Sequence, residues 1–498
     1  MKLKPLYYIL LLALIIRLYH IDFPIGGKHG WRQADTAAIA KNYYLNGFNL
    51  FYPQVDWQGN LPGYIESEFQ IYPYLVALLY SVFGLHDWIG RALSLFFFLL
   101  TIYGLYLLVR KVRDENSALW TAFVYAVLPA NIFFSSVFMP EPLMLMSIVY
   151  GLYFFVNWIE NEKETDFYLS AFFISISILV KIVTLYIGLP LLYLACQKYM
   201  TNLPSPLGRV GRGLKFLTSF KLWLYAALVL LPSAAWYYHA HMLLVNGGVT
   251  FNIWGFGTDK WGNFELLLSP SFYNGLFVGS IAESHLAYVG IIPLIIGLFL
   301  ARKGRLERLF DFWIISVIIY FLIVADGNKT HDYYQLPFNL PAAFFIGKTF
   351  SCFISLQDIK TVFSRFNFKT IALSIIFILM MIGSYVKASR FYSSEDYNLP
   401  YFQIAEEVKK ITAKDELIIT ICDHNPLLLY TCQRKGWAVK PHHLTDEFLK
   451  EKISLGVKVI ACEKQYFKPK EDSLKLGELK SRFKVTKETP DYIIFLIN

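Results

Sequence analysis

Asp35, Glu68 and Glu141 are carboxylates placed at the edges of apolar segments, where acidic groups are costly to keep without a task. Asp35 lies in Gly30-Trp31-Arg32-Gln33-Ala34-Asp35-Thr36, just past the first hydrophobic run. Glu68 precedes a short apolar stretch, and Glu141 sits in Met139-Pro140-Glu141-Pro142, a tight turn between two longer ones. Cations and rings accompany them. Arg32 shares the first motif, Lys181 interrupts an apolar run, and one short polar turn carries Lys329, His331, Tyr333 and Tyr334. A carboxylate can take the proton from an attacking hydroxyl. Lys, Arg and His can hold and stabilise a departing phosphate. These residue types together suit displacement of a lipid-borne phosphate from a sugar carbon by a hydroxyl, a reaction that needs no nucleotide.

Each group has a plainer reading. Asp35 is followed by a helical pattern, Thr36 to Lys41, and Glu141 by Pro142, so both can be early-helix acids matched to the helix dipole. Of Glu66 and Glu68, one is plain interfacial charge. A lone lysine such as Lys181 can snorkel to an interface, and Arg17 and Arg91 can bind lipid headgroups or anchor spans. Dipole matching and snorkelling explain single residues; they explain the collected set poorly.

The elements that must position these groups are membrane helices. Hydrophobic residues make up 56% and charged residues only 17% of 498, too little charge to cover a soluble protein. The net charge of +9 falls mostly in short loops between spans, which reads as an orientation signal and not as a nucleic-acid surface. Apolar runs fall near 5–21, 88–109, 118–136, 142–158, 221–238, 284–301, 310–325, 334–350 and 370–386, with 168–196 as two short spans broken near Lys181. The count is about eleven transmembrane helices.

Residues 70–84 are too short to span and are assigned as re-entrant or interfacial. With 70–84 not crossing, Arg110-Lys111-Val112-Arg113 falls on the side of Lys2 and Lys4. So do Lys198, Arg209, Arg212 and Lys215, then Arg302 to Arg308, then Lys360, Arg365 and Lys369, as the positive-inside rule requires. The acidic loop 159–167 dissents weakly. The N-terminus is thus cytoplasmic. The loop 22–69, the turn 326–333 and a tail of short β-rich runs and helical patterns over 388–498 are extracytoplasmic. The expected organisation is a transmembrane domain, 1–387, and a small α/β extracytoplasmic domain, 388–498. The Pro204–Gly213 stretch reads as a linker. Five cysteines show no metal spacing, and a Cys422–Cys432 bridge is compatible with an outside tail.

Trp31-Arg32-Gln33-Ala34-Asp35-Thr36, Glu68 before the short apolar segment, Glu141-Pro142, Lys181, and His331-Asp332-Tyr333-Tyr334-Gln335-Leu336-Pro337 occur in an order that resembles the GT-C-type, polyprenyl-phosphate-dependent glycosyltransferases. The likeness is to their protein O-mannosyltransferase and lipid A aminoarabinose transferase members. The resemblance covers about residues 1–350. It implies inverting transfer of a sugar from a polyprenyl-phosphate donor to an extracytoplasmic glycan, lipid or protein acceptor, in glycan biosynthesis at a bacterial plasma membrane.

On that likeness Asp35 is the catalytic base, with Glu141 and Glu68 as further catalytic acids. Arg32, Lys181, Lys329, His331, Tyr333 and Tyr334 contact donor phosphate or sugar. A divalent ion (Mg, Mn or Zn) bridging Glu68 and Glu141 is compatible with the chemistry, as is a base-only site. Two departures stand out: one acid, Asp35, replaces a common Asp-Glu pair, and Glu141 stands where Asp is frequent. A transporter or flippase of lipid-linked sugars is the competing class. It would show paired repeats and helices broken at midplane, and the sequence shows neither. A receptor or scaffold built on 388–498 would leave the three acids unexplained.

Overall fold

A computed structural model describes residues 4–200, 218–252, 260–356, 368–392, 400–467 and 470–497. The Pro204–Gly213 stretch, Arg209, Arg212, Lys215, Lys360 and Arg365 lie outside the described residues. The chain divides into two compact units. A helical unit holds Met1–Ile21, Arg91–Tyr238 and Asn252–Arg390. A sheet-bearing unit holds Asp22–Gly90, His239–Phe251 and Phe391–Asn498, so packing groups the long first loop with the tail.

Among the described residues, four helices are long and apolar enough to cross a membrane: Asp87–Val112, Glu141–Asn161, Phe220–Val245 and Phe368–Phe391. Asp87 at the start and Arg110 and Lys111 at the end of the first complement its dipole. The last two expose apolar side chains along their length, including Leu231, Tyr238, Ile378 and Ile382. Such surface is unfavourable in water and at home in lipid. Pro5–Arg17, Ile71–Phe83 and Ile182–Lys198 are shorter apolar helices. Ile71–Phe83 has 13 residues, about 20 Å of helix, well short of a hydrocarbon core of roughly 30 Å.

Several expected spans are broken, each for a local reason. The run 118–136 splits into Glu115–Val127 and Pro129–Phe134, because Pro129 drives Leu128 to an extended ψ of 136°. The break frees carbonyls that other residues satisfy. Arg17, fully buried, donates to Ala126 O at 2.8 Å, to Asn131 O at 3.2 Å and to Ser135, and Asn131 Nδ2 donates to Tyr125 O. Arg17 is therefore a structural clamp and not a lipid-headgroup ligand. Arg91, also buried, donates to His20 O at 3.1 Å. The run 168–196 breaks where expected. Helix Glu164–Val180 stops at Lys181, whose φ of −158° and ψ of 110° are extended, and a 3-10 turn leads into Gly188–Met200.

In the sheet-bearing unit, β1 (Ile65–Glu66) and β2 (Val249–Thr250) form a short parallel pair. The tail supplies a five-stranded sheet: β3 (Leu417–Ile421), β4 (Gly436–Val439), β5 (Val457–Glu463), β6 (Lys484–Glu488) and β7 (Tyr492–Leu496), in the order β4-β3-β5-β7-β6. β4, β3 and β5 are parallel; β7 and β6 add antiparallel. Ile419, Ile421, Ile460, Ile493 and Phe495 build its core. Tyr401, Ile404, Ala405 and Val408 give Pro400–Ile411 its buried stripe at helical spacing.

β6 is an exposed edge carrying Lys484, Lys487 and Glu488, charge that discourages further strand pairing. Cys422 and Cys432 are separate buried thiols; the bridge considered from sequence is not formed. The first loop is tied to the sheet by Gly59 N–H to Gly436 O (2.8 Å) and Gly436 N–H to Asp56 O (3.0 Å). Gly59 has a φ of +61°, and a Cβ there would lie 1.9 Å from the Trp437 ring.

Candidate active site

In the sheet-bearing unit, helix Gly30–Asn46 carries Asp35 in its second turn. Gln33 fixes the entry to this helix by donating to Gly26 O and Lys28 O. The helix is buried on nearly every side, and Asp35 is 4% exposed. The Trp57 indole N–H donates to Asp35 Oδ1 at 3.1 Å. Burial pushes the Asp35 carboxyl up to about 7, and Asp56 adds to the rise; Arg32 and the Trp57 hydrogen bond oppose it. A carboxylate poised there exchanges its proton near neutral pH.

Three further ion pairs or carboxylate clusters surround this helix. Arg32 lies 3.2 Å from Glu68 and 5.3 Å over the Phe251 ring. Lys41 Nζ lies 2.5 Å from Asp56 Oδ2, whose other oxygen accepts from Asn42 at 2.9 Å. Glu66, 2% exposed, accepts from Thr250 and faces His241 Nδ1 at 3.2 Å. Of the two neighbouring glutamates, Glu66 is the more deeply buried.

In the helical unit, Glu141 begins Glu141–Asn161, with Pro142 in the first turn where a missing N–H is harmless. Glu141 is 1% exposed and its Oε1 lies 2.5 Å from Lys181 Nζ. The extended backbone at Lys181 allows its side chain to leave the helical run and reach that carboxylate. Glu141 Oε2 is buried and accepts no hydrogen bond among the described residues. The void it lines is about 10 Å³, room for about one water. The Lys181 ammonium also sits 4.7 Å and 4.6 Å from the ring centroids of Tyr333 and Tyr334. His331 stacks on Tyr333 at 5.3 Å.

Of the residues picked from sequence, the helical unit therefore gathers Glu141, Lys181, Tyr333, Tyr334 and His331. Lys329 is exposed and is not part of that contact set. The sheet-bearing unit gathers Asp35 and Arg32 on one helix and pairs Arg32 with Glu68. Sequence reading missed Trp57 and the Lys41–Asp56 and Glu66–Thr250 pairs. Lys41 and Asp56 are 15 residues apart and carry no motif.

Glu68 and Glu141, the residues considered for a divalent ion, each face a cation instead, Arg32 and Lys181. Among the described residues no three His, Cys, Asp or Glu side chains converge where a metal could sit. Of the two alternatives the sequence leaves open, a bridging ion and a base-only site, these pairings fit the second better.

No curated protein sequence matches the chain significantly. Residues 70–239 match the family of the dolichyl-phosphate-mannose-protein mannosyltransferases. Among solved structures, ArnT from Cupriavidus metallidurans bound to undecaprenyl phosphate aligns with a TM-score of 0.69 at 12% identity, over 98% of this chain and 97% of that one. The oligosaccharyltransferase AglB from Archaeoglobus fulgidus, in complex with an inhibitory peptide and a dolichol-phosphate, aligns at 0.58 and 14% identity, over 98% and 74%; the Archaeoglobus oligosaccharyltransferase has also been solved with Zn and sulfate. The arabinofuranosyltransferase AftD from Mycobacteria aligns at 0.57 and 12% identity, over 99% and 41%. The chain thus has the fold of the GT-C-type, polyprenyl-phosphate-dependent glycosyltransferases, and its residues 70–239 carry the sequence pattern of the dolichyl-phosphate-mannose-protein mannosyltransferases.

Proposed function

We propose that this chain is an integral-membrane glycosyltransferase that moves a sugar from a polyprenyl-phosphate carrier to an acceptor hydroxyl, with inversion. The acceptor oxygen attacks the anomeric carbon, the bond from that carbon to phosphate oxygen breaks, and the polyprenyl phosphate leaves with the electron pair. Asp35 takes the acceptor proton. The observation that carries this reading is a buried carboxylate on a buried helix, held by one indole donor and shifted to about 7. General bases work best with a pKa near the working pH.

Lys181 is assigned to the donor phosphate, with Tyr333, Tyr334 and His331 about it. Glu141 acts through Lys181, fixing its ammonium. Arg32, fixed by Glu68, supplies positive charge just under one turn before Asp35 on the same helix. No step is routed through a metal. The reaction takes place on the extracytoplasmic side of a bacterial plasma membrane, because Arg110 to Arg113 and Arg302 to Arg308 mark the opposite face as cytoplasmic.

Mass spectrometry of lipid that copurifies with the chain tests the donor assignment. A polyprenyl phosphate, free or sugar-linked, is expected. If no such lipid copurifies, and added polyprenyl-phosphate sugars are neither bound nor consumed, the proposal fails.

A further inference from the structure

A cleft of about 540 Å³ opens in the sheet-bearing unit, at the ends of β3, β4 and β5 from which the parallel strands start. Leu417, Lys435 and Gly456 mark those ends; the facing wall is the last part of helix Gly30–Asn46, through Lys41, Asn42 and Asn46. The volume falls within the range of small-molecule sites.

Its charge is poorly compensated from within the protein. Arg434, 4% exposed, donates to Thr412 Oγ1 (3.1 Å) and Thr412 O (2.8 Å), and to the carbonyls of Cys432 and Gln433 (3.2 Å each). Every one of these acceptors is neutral. Lys435, next in the chain and partly buried, accepts the Ile418 N–H at its carbonyl (3.1 Å), but its ammonium has no hydrogen-bond or ion-pair partner among the described residues. Burial holds the Lys435 ammonium below the usual lysine range, Lys41 adds to the fall, and the Asp56 carboxylate opposes it without reversing it. The carboxylate closest in charge, Asp56, has both oxygens engaged by Lys41 and Asn42. Lys414 adds a further cation at the mouth. Asp415 and Glu416 share the rim, but Glu416 is occupied with the Ala413 N–H at 2.8 Å.

Cations left without a counter-ion inside a protein are costly, and an anion seated against them removes that cost. Four amides also line it, Asn42, Asn46, Asn60 and Gln433, beside three leucines and two glycines. The Asn42 and Asn46 amides already bond each other and Gln54, which leaves Asn60 and Gln433 facing the cleft as the amides with no such engagement among the described residues. Amides donate and accept together, which matches the hydroxyls of a sugar. We infer that this cleft binds a carbohydrate through an anionic group, phosphate or carboxylate, that the sugar carries. The inference concerns equilibrium binding and stands apart from the transferase reading.

The test titrates the full chain, in detergent micelles, with glucose 6-phosphate, glucuronate, glucose and inorganic phosphate by isothermal calorimetry. The two anionic sugars are expected to bind at least about tenfold more tightly than glucose, and glucose 6-phosphate more tightly than phosphate. Lys435→Gln should weaken both anionic sugars about tenfold and leave glucose unchanged, while Lys484→Gln on the exposed β6 edge alters nothing. Lys414→Glu at the mouth provides a second reading should Lys435→Gln fold poorly, and a loss of severalfold is expected. Binding of the anionic sugars that is undetectable, or no tighter than glucose, overturns the inference. So does full affinity in Lys435→Gln or, in its place, Lys414→Glu. Inorganic phosphate binding as tightly as glucose 6-phosphate overturns the carbohydrate part. Repeating the titration in Asp35→Asn keeps the two proposals separate, because sugar binding should persist where transfer does not.

Discussion

The Trp57 indole N–H donates to Asp35 Oδ1 at 3.1 Å, a hydrogen bond from a neutral side chain to a buried carboxylate. A donor to the ionised form lowers a carboxyl's pKa, so Trp57 restrains the rise that burial imposes. Trp57→Phe keeps an aromatic ring and removes the donor. The expected outcome is an acidic limb of the rate profile moved upward by about one pH unit, from the strength of a hydrogen bond to a charged group. Activity above that limb should be largely retained. A profile measured from pH 5 to 9 checks this; an unmoved limb would mean that Trp57 only packs.

Asp35→Asn is expected to lower the transfer rate by about 10²–10⁴-fold, the range for loss of a general base. It should also stabilise the fold in alkali. The folded carboxyl titrates near 7 against 3.8 when exposed, so between about pH 4 and 7 the folded chain binds more protons than the unfolded one. Stability therefore falls as pH rises through that window, by roughly 4 kcal/mol at the upper end. Asparagine cannot ionise and escapes this loss. Thermal unfolding in detergent should give the variant a higher Tm than the parent at pH 8, with the difference shrinking steadily as the pH is lowered toward about 4.

Lys181 and Glu141 form a buried pair at 2.5 Å. Removing one partner leaves the other charge alone, a loss of about 3–5 kcal/mol. Lys181→Met and Glu141→Gln should each lower Tm and yield. The double variant should recover much of the stability. If Lys181 acts on donor phosphate, the recovered double variant remains inactive. Recovery of both stability and transfer would reduce the pair to a structural role.

How much of this was legible in the sequence depended on distance along the chain. The stop at Lys181 could be read locally, since a charged residue interrupts an apolar run, and so could the brevity of 70–84. The acids at 35 and 141 stood out because apolar sequence surrounds them. Glu66 could not be told from Glu68, because its burial depends on β2, which lies at 249–250 and has no sequence signal as a strand of two residues. Arg17 looked like an interfacial anchor for a related reason. Its long-range partners, Ala126 O, Asn131 O and the Ser135 hydroxyl, lie around the break at Pro129, more than a hundred residues away. The packing of the first loop with the tail was equally hidden, since Gly59 and Gly436 meet through backbone atoms that any sequence possesses.

Sidedness is the remaining premise of the reaction, and it can be tested at exposed positions on elements already described. Asn46 ends the helix that carries Asp35, and Lys329 precedes His331; both are exposed. The charge pattern puts both outside the cell and the exposed Cys352 inside. Asn46→Cys and Lys329→Cys, made in a Cys352→Ser background, should each react with a membrane-impermeant maleimide on intact cells. Cys352 in the parent should react only after the membrane is opened. Labelling of positions 46 and 329 from opposite faces would separate the base from the cation assigned to the phosphate, and no single-displacement transfer could then use both.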